Sequence, residues 1–400
     1  MTAHTFWLLL ALLFVGGAIG FYAARRPRPS VLGAERLRGN YLAGVNFLVN
    51  DQPDRALEAF LQAAELDEAT VETHFALGSL YRRRGEVDRA IRIHQNIVAR
   101  ERLDPAQRDQ ARFALAQDYL RAGLFDRAVK ILEPLAASGA HRISALRMLI
   151  GIHEQERDWP RAIEVFRELE RAGRALQPDA IAHYFCELAI AAREAGDSEE
   201  ALRQLKAAHA ERRRCARGAL LRAEIAIEQG DLALAERLLG TVVGQEAALM
   251  IEVMPRLAQL ARAGGAGGEA CVARLVAARP DAGAEIAFAA IIGDTVEFAP
   301  LEQLVRDYLA RDEAVAGLVR ASGRDPATLD AQAVRDIAAV LRRLAATTPR
   351  YRCTNCGFSS IGHFWQCPAC KNWDSQRPLL RFDLVAGLDK ARAQPATDGP

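Results

Sequence analysis

The feature that most constrains this chain is an alanine that recurs at intervals of 34 to 39 residues, most often 34. The recurring residues are Ala56, Ala90, Ala128, Ala162, Ala201, Ala235 and Ala270. Their surroundings repeat as well, as in PDRALEAF, VDRAIRIH, FDRAVKIL, WPRAIEVF and SEEALRQL. A fixed period of this length indicates a stack of similar structural units, because a generic helical bundle has no reason to keep a period.

One copy of the repeated unit shows its internal organisation. Leu77, Gly78 and Tyr81 lie on one helical face, Gly85 breaks that helix, and Asp88 opens a second helix. A small residue on each helix lets the two helices approach to about 8–10 Å. The same turn is marked in other repeats by Gly123, Gly196 and Gly230. A helix pair that repeats about every 34 residues is the tetratricopeptide (TPR) signature. The sequence therefore predicts an all-α TPR superhelical solenoid.

The pattern divides the chain into six predicted segments. A TPR array of about seven repeats occupies residues 41–280. Degenerate repeats or capping helices follow at 281–347, where the apolar pattern remains helical but the period is lost. The other segments are a transmembrane anchor at 1–24, a basic linker at 25–40, a rubredoxin-like four-cysteine metal module at 348–380 and a disordered tail at 381–400.

An uncharged run from Phe6 to Ala24 opens the chain. At about 1.5 Å per residue, a helix of this length matches the ~30 Å hydrocarbon core of a membrane. Arg25, Arg26 and Arg28 follow the run, and no lysine or arginine precedes it. A cleaved signal peptide would need a basic region before the apolar one, which is absent. The positive-inside rule then predicts a single-pass anchor with everything after residue 24 in the cytoplasm.

The composition argues against several classes of function. The net charge is +1, so no overall field favours nucleic acid. His183 and Cys186 lie at i, i+3 and could form a thiol–imidazole pair, but no third orienting group or oxyanion donor can be assigned. We therefore expect no catalytic residues and no small-molecule substrate. Cys186, Cys215 and Cys271 are interpreted as isolated packing residues.

Two CxxC turns stand near the C-terminus. Cys353 and Cys356 form the first, and Cys367 and Cys370 form the second. Two such turns present four thiolates to one ion in a tetrahedron. Because all four ligands are sulfur, no position is left for a bound water, and the site would be structural or electron-transferring rather than hydrolytic. We predict one iron or zinc ion, since both suit tetrahedral sulfur and the sequence does not choose between them.

Several segments carry a resemblance to a known family. They are YLAGVNFLVNDQPDRA at 41–56, RGEVDRAIRIHQ at 84–95, AGLFDRA at 122–128, IAHYFCELA at 181–189, and PRYRCTNCGF with WQCPACKNW within 349–373. Together with the predicted transmembrane anchor, the TPR array and the two CxxC turns, these segments make the chain resemble the lipopolysaccharide assembly protein B family of Gram-negative bacteria. The resemblance implies a non-enzymatic scaffold at the inner membrane, with a periplasmic N-terminus, that regulates lipopolysaccharide synthesis.

The resemblance also implies partners and a metal. The partners are a membrane-bound AAA protease, the deacetylase that commits lipid A synthesis, and an inner-membrane lipopolysaccharide-sensing protein. The family would promote proteolysis of the deacetylase by the protease. Its metal ligands correspond to Cys353, Cys356, Cys367 and Cys370, and the family is usually described as binding iron.

Two other functions remain open from the sequence. A redox-active iron in the cysteine module would make the chain a membrane-tethered electron-transfer protein. A groove that binds C-terminal peptides would make it a tethered TPR co-chaperone. The second mode needs a basic carboxylate clamp on the first helices of the repeats, and no clear Asn/Lys set is present.

Overall fold

The computed structural model describes residues 31–379, except 51, 67–70, 102, 138, 174–178, 246 and 265–267. The predicted anchor at 1–24 and the predicted tail at 381–400 lie outside the described residues. The chain forms two compact units, one ending at residue 156 and one beginning at residue 157.

The first unit is helical. Its helices are α1 (Val31–Val49), α2 (Pro53–Leu66), α3 (Val71–Arg83), α4 (Val87–Val98), α5 (Pro105–Arg121), α6 (Phe125–Ala137) and α7 (Arg142–Glu156). Each helix packs against the next one in the chain. Gly85 ends the first helix of a repeat with a φ of 82°, and the Glu86 N–H donates to the Tyr81 carbonyl at 2.9 Å. Glycine suits this turn because a Cβ strains the left-handed conformation.

The interior of the first unit contains a charged cluster. The Asp118 carboxylate on α5 accepts from Arg82 Nη1 on α3 at 2.6 Å and contacts His94 Nδ1 on α4. Asp118 and His94 are both fully buried. Gly78 lies directly against the His94 ring, where a Cβ would come within 2.6 Å of it. The small residue predicted at this helix crossing therefore makes room for a buried histidine.

The second unit is mostly helical as well. Its helices are α8 (Trp159–Arg171), α9 (Ala180–Glu194), α10 (Ser198–Glu211), α11 (Ala216–Glu228), α12 (Leu232–Gln245), α13 (Met250–Ala263), α14 (Gly268–Ala277), α15 (Gly283–Ile292), α16 (Ala299–Arg311), α17 (Glu313–Ala321) and α18 (Ala331–Ala346). A three-stranded antiparallel sheet follows, with strands β1 (Tyr351–Cys353), β2 (Ser359–Ser360) and β3 (Gln376–Pro378) in the order β2-β1-β3. Tyr351 belongs to the same buried cluster as the helices from α11 to α18.

The recurring alanine marks the buried face in all but one of its positions. Those with no exposed surface are Ala56, Ala90, Ala128, Ala162, Ala201 and Ala235. The prediction for Ala270 is wrong, because its side chain is exposed on α14. The small residue at that crossing is Gly268, where a Cβ would lie only 2.0 Å from the Ala261 carbonyl oxygen. The backbone of α13 approaches α14 so closely that only glycine fits there.

The predicted localisation as a single-pass inner-membrane protein requires correction. In the part of the chain that the structure describes, no helix is both long and apolar enough to span a membrane. The run from Phe6 to Ala24, on which the prediction rested, lies outside the described residues. The transmembrane part of the predicted fold class is therefore unsupported, whereas the TPR solenoid with a small cysteine module is confirmed.

Candidate metal centre

The four cysteines predicted as ligands lie together. Cys353 Sγ is 3.7 Å from Cys370 Sγ, and Cys356 Sγ is 3.8 Å from Cys367 Sγ. All four sulfur atoms lie within 4.8 Å of one another. Metal–sulfur bonds of about 2.3 Å in a regular tetrahedron place the sulfurs about 3.8 Å apart. The four side chains thus fit a single tetrahedral ion of the rubredoxin type, and the distances suit zinc and iron alike.

Two matched turns hold the thiols in place. The Gly357 N–H donates to the Cys353 carbonyl at 3.0 Å, and the Lys371 N–H donates to the Cys367 carbonyl at 2.9 Å. Both donors have left-handed backbones, with φ of 76° at Gly357 and 60° at Lys371. The sequence indicated the first turn through its glycine. The left-handed backbone at Lys371 in the second turn could not be predicted from the sequence, because lysine seldom adopts this conformation.

The protonation of the thiols differs from one to another. Burial raises the pKa of Cys353, but its hydrogen bond with the Ser375 hydroxyl and those from the Cys356 and Asn355 N–H groups bring that pKa down to about 6. The Phe358 N–H lowers the pKa of Cys356, yet burial and the neighbouring thiols raise it to about 12. Thiols this close share protons, and a cation at their centre would replace those protons.

The cysteine module packs against the helices of the second unit through aromatic side chains. Trp373 stacks on His183 of α9, with ring centroids 5.0 Å apart and planes at 16°. Its edge also meets Tyr184 at 5.8 Å and Trp159 at 6.1 Å. Trp365 lies 5.9 Å from the His183 ring on the same side of the module. We call the side chains of Trp159, His183, Tyr184, Trp365 and Trp373 together the aromatic dock.

Charged groups surround the aromatic dock. The Arg217 guanidinium lies 6.0 Å from the centre of the Trp365 ring and 5.9 Å from that of the Trp373 ring. It also forms an ion pair with the Glu187 carboxylate at 2.7 Å. Arg212 Nη1 donates to Asp374 at 2.9 Å. Such cation–aromatic contacts stabilise by about 0.5–2 kcal/mol when partly desolvated.

A further contact joins the sheet to α13. The Tyr351 hydroxyl donates to the Glu252 carboxylate. Burial, with Glu252 beside it, raises the pKa of Tyr351 well above its usual range. The hydroxyl therefore stays protonated and keeps its role as donor across the physiological pH range.

The structure gives His183 and Cys186 separate surroundings. The His183 ring stacks on Trp373, whereas Cys186 Sγ lies 3.9 Å from Cys215 Sγ. Burial, and then the nearby Arg217, lower the pKa of His183 to about 3, so its ring is neutral. From the sequence alone, His183 and Cys186 are a possible thiol–imidazole pair, and Cys186 and Cys215 are expected to be isolated packing residues. The structure instead places His183 in a packing contact and the two cysteines side by side.

The fold and the site define a class of protein: a TPR protein with a rubredoxin-like four-cysteine module. Tetratricopeptide-repeat family models match residues 73–106, 113–177 and 186–243. A family model described as a rubredoxin metal binding domain matches residues 351–378, which contain all four cysteines.

Curated relatives cover nearly the whole chain. Lipopolysaccharide assembly protein B of Escherichia coli (strain K12) is 33% identical over 388 residues, which are 94% of this chain and 99% of that protein. The protein of the same name from Haemophilus influenzae (strain Rd) is 28% identical, over 93% of this chain and 98% of that one. The chain therefore belongs to the lipopolysaccharide assembly protein B family, as the sequence motifs predicted. Among solved structures, MamA is similar with a TM-score of 0.35 and 18% identity, over 44% of this chain and 92% of MamA.

Proposed function

We propose that this protein is a non-catalytic adaptor that regulates lipopolysaccharide synthesis by promoting proteolysis of the deacetylase that commits lipid A synthesis. The observation that carries the proposal is membership of the lipopolysaccharide assembly protein B family over 94% of the chain. TPR helices support it, since stacked helix pairs offer extended surfaces for other proteins rather than pockets for small substrates.

The proposed partners follow from the family resemblance. The deacetylase would be the protein delivered, a membrane-bound AAA protease would degrade it, and a lipopolysaccharide-sensing protein of the inner membrane would control the delivery. An adaptor of this kind acts by raising the local concentration of one partner near another, which needs no chemistry of its own.

We propose that Cys353, Cys356, Cys367 and Cys370 hold one iron or zinc ion with a structural role. Trp365 stands two residues before Cys367, and Trp373 stands three residues after Cys370. An ion on the second CxxC turn would therefore fix the segment that presents both tryptophans to α9 and α11. A tetrahedral ion of either metal would serve this role, because the aromatic dock depends on the shape of the module.

Depletion of the protein in its own cell tests the adaptor proposal. The half-life of the deacetylase, followed after protein synthesis is blocked, should lengthen, and lipopolysaccharide should accumulate. A half-life that stays the same on depletion would contradict the adaptor function. Expression of a Cys367→Ser variant should restore turnover poorly, whereas Cys271→Ser, which lies outside the module, should restore it fully.

Reconstitution with each metal separates the structural role from electron transfer. Purified protein loaded with zinc should capture the deacetylase as well as protein loaded with iron does. Capture by the iron form alone, together with loss of colour on reduction, would favour a redox function for the module.

A further inference from the structure

Two buried cysteines of the second unit form a close pair away from the metal centre. Cys186 lies on α9, and Cys215 is the N-cap residue of α11; their sulfur atoms are 3.9 Å apart. Neither side chain is more than 6% exposed. Gly218 leaves space beside them, since a Cβ there would lie 3.4 Å from Cys215 Sγ and 3.7 Å from Cys186 Sγ. The site therefore holds two facing thiols with nothing between them.

The surroundings make the two thiols unequal. The hydrogen bond with Cys186, helped by the Gly218 N–H and by Arg212, lowers the pKa of Cys215 to about 7 despite its burial. The same hydrogen bond and burial raise the pKa of Cys186 well above its usual range. A thiolate at a helix N-terminus is stabilised in this way in reactive cysteines. Cys215 therefore has the character of the attacking sulfur, and Cys186 that of its partner.

Cys215 also borders a small cavity that a reagent of a few atoms could enter. The cavity has a volume of about 140 Å³, and basic side chains line it together with Cys215 and Gly218: His209, Arg213 and Arg222. A space of this size accommodates several water-sized molecules. Hydrogen peroxide is of that size, and the positive lining favours the thiolate with which it would react.

We propose that Cys186 and Cys215 are a dithiol site that peroxide converts reversibly into a disulfide. The Cys215 thiolate attacks one peroxide oxygen, so that an S–O bond forms, the O–O bond breaks and the departing hydroxide takes a proton to leave as water. The Cys186 sulfur, having lost its proton, then attacks the Cys215 sulfur, so that the S–S bond forms and the S–O bond breaks to release a second water. In total, two thiols and one hydrogen peroxide give one disulfide and two waters.

Closing the disulfide would act on the aromatic dock. The sulfur atoms must approach from 3.9 Å to about 2.0 Å, which draws the start of α11 toward α9. Arg212, three residues before Cys215, holds Asp374 of the cysteine module, and Arg217, two residues after it, lies beside both tryptophans. Oxidation of the pair should therefore loosen the module from the helices without any change at the metal ligands.

Peptide mapping of the full-length, metal-loaded protein tests the proposal. The protein is purified with a reductant, freed of it, treated with one equivalent of hydrogen peroxide, blocked with N-ethylmaleimide and digested with trypsin. The expected product is peptide 175–193 joined to peptide 215–217, with a mass two hydrogens below their sum, and dithiothreitol should separate them. Failure to find the joined peptide, with both cysteines blocked by maleimide instead, would overturn the proposal.

Variants assign the order of the two steps. Cys186→Ser should leave a sulfenic acid at Cys215 that dimedone traps, whereas Cys215→Ser should leave Cys186 reduced. Cys271, whose pKa burial raises to about 11, is the matched control and should remain a free thiol in all forms. Hydrogen exchange of residues 351–378 should rise on oxidation of the unaltered protein and not in Cys186→Ser. An equal rise in both would show that peroxide acts on the metal ligands, and it would overturn the link to the dock.

Discussion

The His183 ring of a repeat helix stacks on the Trp373 ring of the cysteine module, with centroids 5.0 Å apart and planes 16° from parallel. His183 is 1% exposed and Trp373 is 9% exposed, so both rings are largely removed from water. The module is therefore packed into the second unit, and its stability and that of helices α9 and α11 depend on each other.

Removing the Trp373 side chain should release the module from the helices. The change Trp373→Ala leaves a cavity between His183, Tyr184 and Trp159, and truncation of a buried tryptophan costs about 3–5 kcal/mol. Hydrogen exchange should rise in residues 351–378 and in α9, while the helices of the first unit keep their protection. Phe364→Ala is the matched control, because Phe364 is 45% exposed and its loss should change little. Equal effects of the two substitutions would contradict the importance of the dock.

Acid should weaken the second unit through His183. Burial and Arg217 hold its pKa at about 3 in the folded protein, against 6.5 in an unfolded chain. The unfolded state therefore binds a proton that the folded state does not. The contribution of His183 to the free energy of unfolding should be fully present above pH 6.5. It should be lost as the pH falls toward 3, with a slope of up to about 1.4 kcal/mol per pH unit.

Urea unfolding between pH 7 and 5 measures that slope, because most carboxylates remain ionised over this range. His183→Phe should flatten the pH dependence, since a neutral ring remains and the titrating group is gone. His209→Gln, at an exposed position, should leave the slope as it is. A slope that survives His183→Phe would assign the pH dependence to another group.

Loss of the metal should disorder the module without affecting the helices of the first unit. The protein is expected to hold one ion per chain, and Cys367→Ser should release it, because three thiolates do not complete a tetrahedral site. Residues 351–378 should then exchange their amide hydrogens quickly, while α1 to α7 stay protected. Elemental analysis of the freshly purified reduced protein provides the count, and two ions per chain or none would contradict the assignment.

The buried carboxylate of Asp118 should be important for the first unit. Asp118→Ala leaves Arg82 and His94 without their partner in the interior, and breaking a buried ion pair from one side costs about 3–5 kcal/mol. Asp109→Ala removes a carboxylate of the same helix that meets Arg112 at 3.6 Å with both side chains exposed. In thermal unfolding, Asp118→Ala should lower the melting temperature strongly, whereas Asp109→Ala should hardly change it. Similar melting temperatures for the two variants would show that the buried cluster contributes little.

The sequence by itself determined the repeated helix pairs and the four-cysteine cluster. Both depend on short-range rules: Ala90 and its equivalents mark a helix face through a fixed spacing, and two CxxC turns bring their thiols together within one small segment. The spacing rule does not hold at Ala270. That alanine keeps the spacing but is exposed, and the close contact between the helices is made by Gly268 instead.

Only the tertiary structure decided which distant residues meet. Arg212 and Asp374 are 162 residues apart in the chain, yet they form an ion pair at the dock. Cys186 lies on α9 and Cys215 caps α11, and no local sequence pattern around either residue indicates that the two meet. Periodicity identifies the face of a helix that is buried but not the partner that covers it, because that partner is selected by packing among all the helices at once.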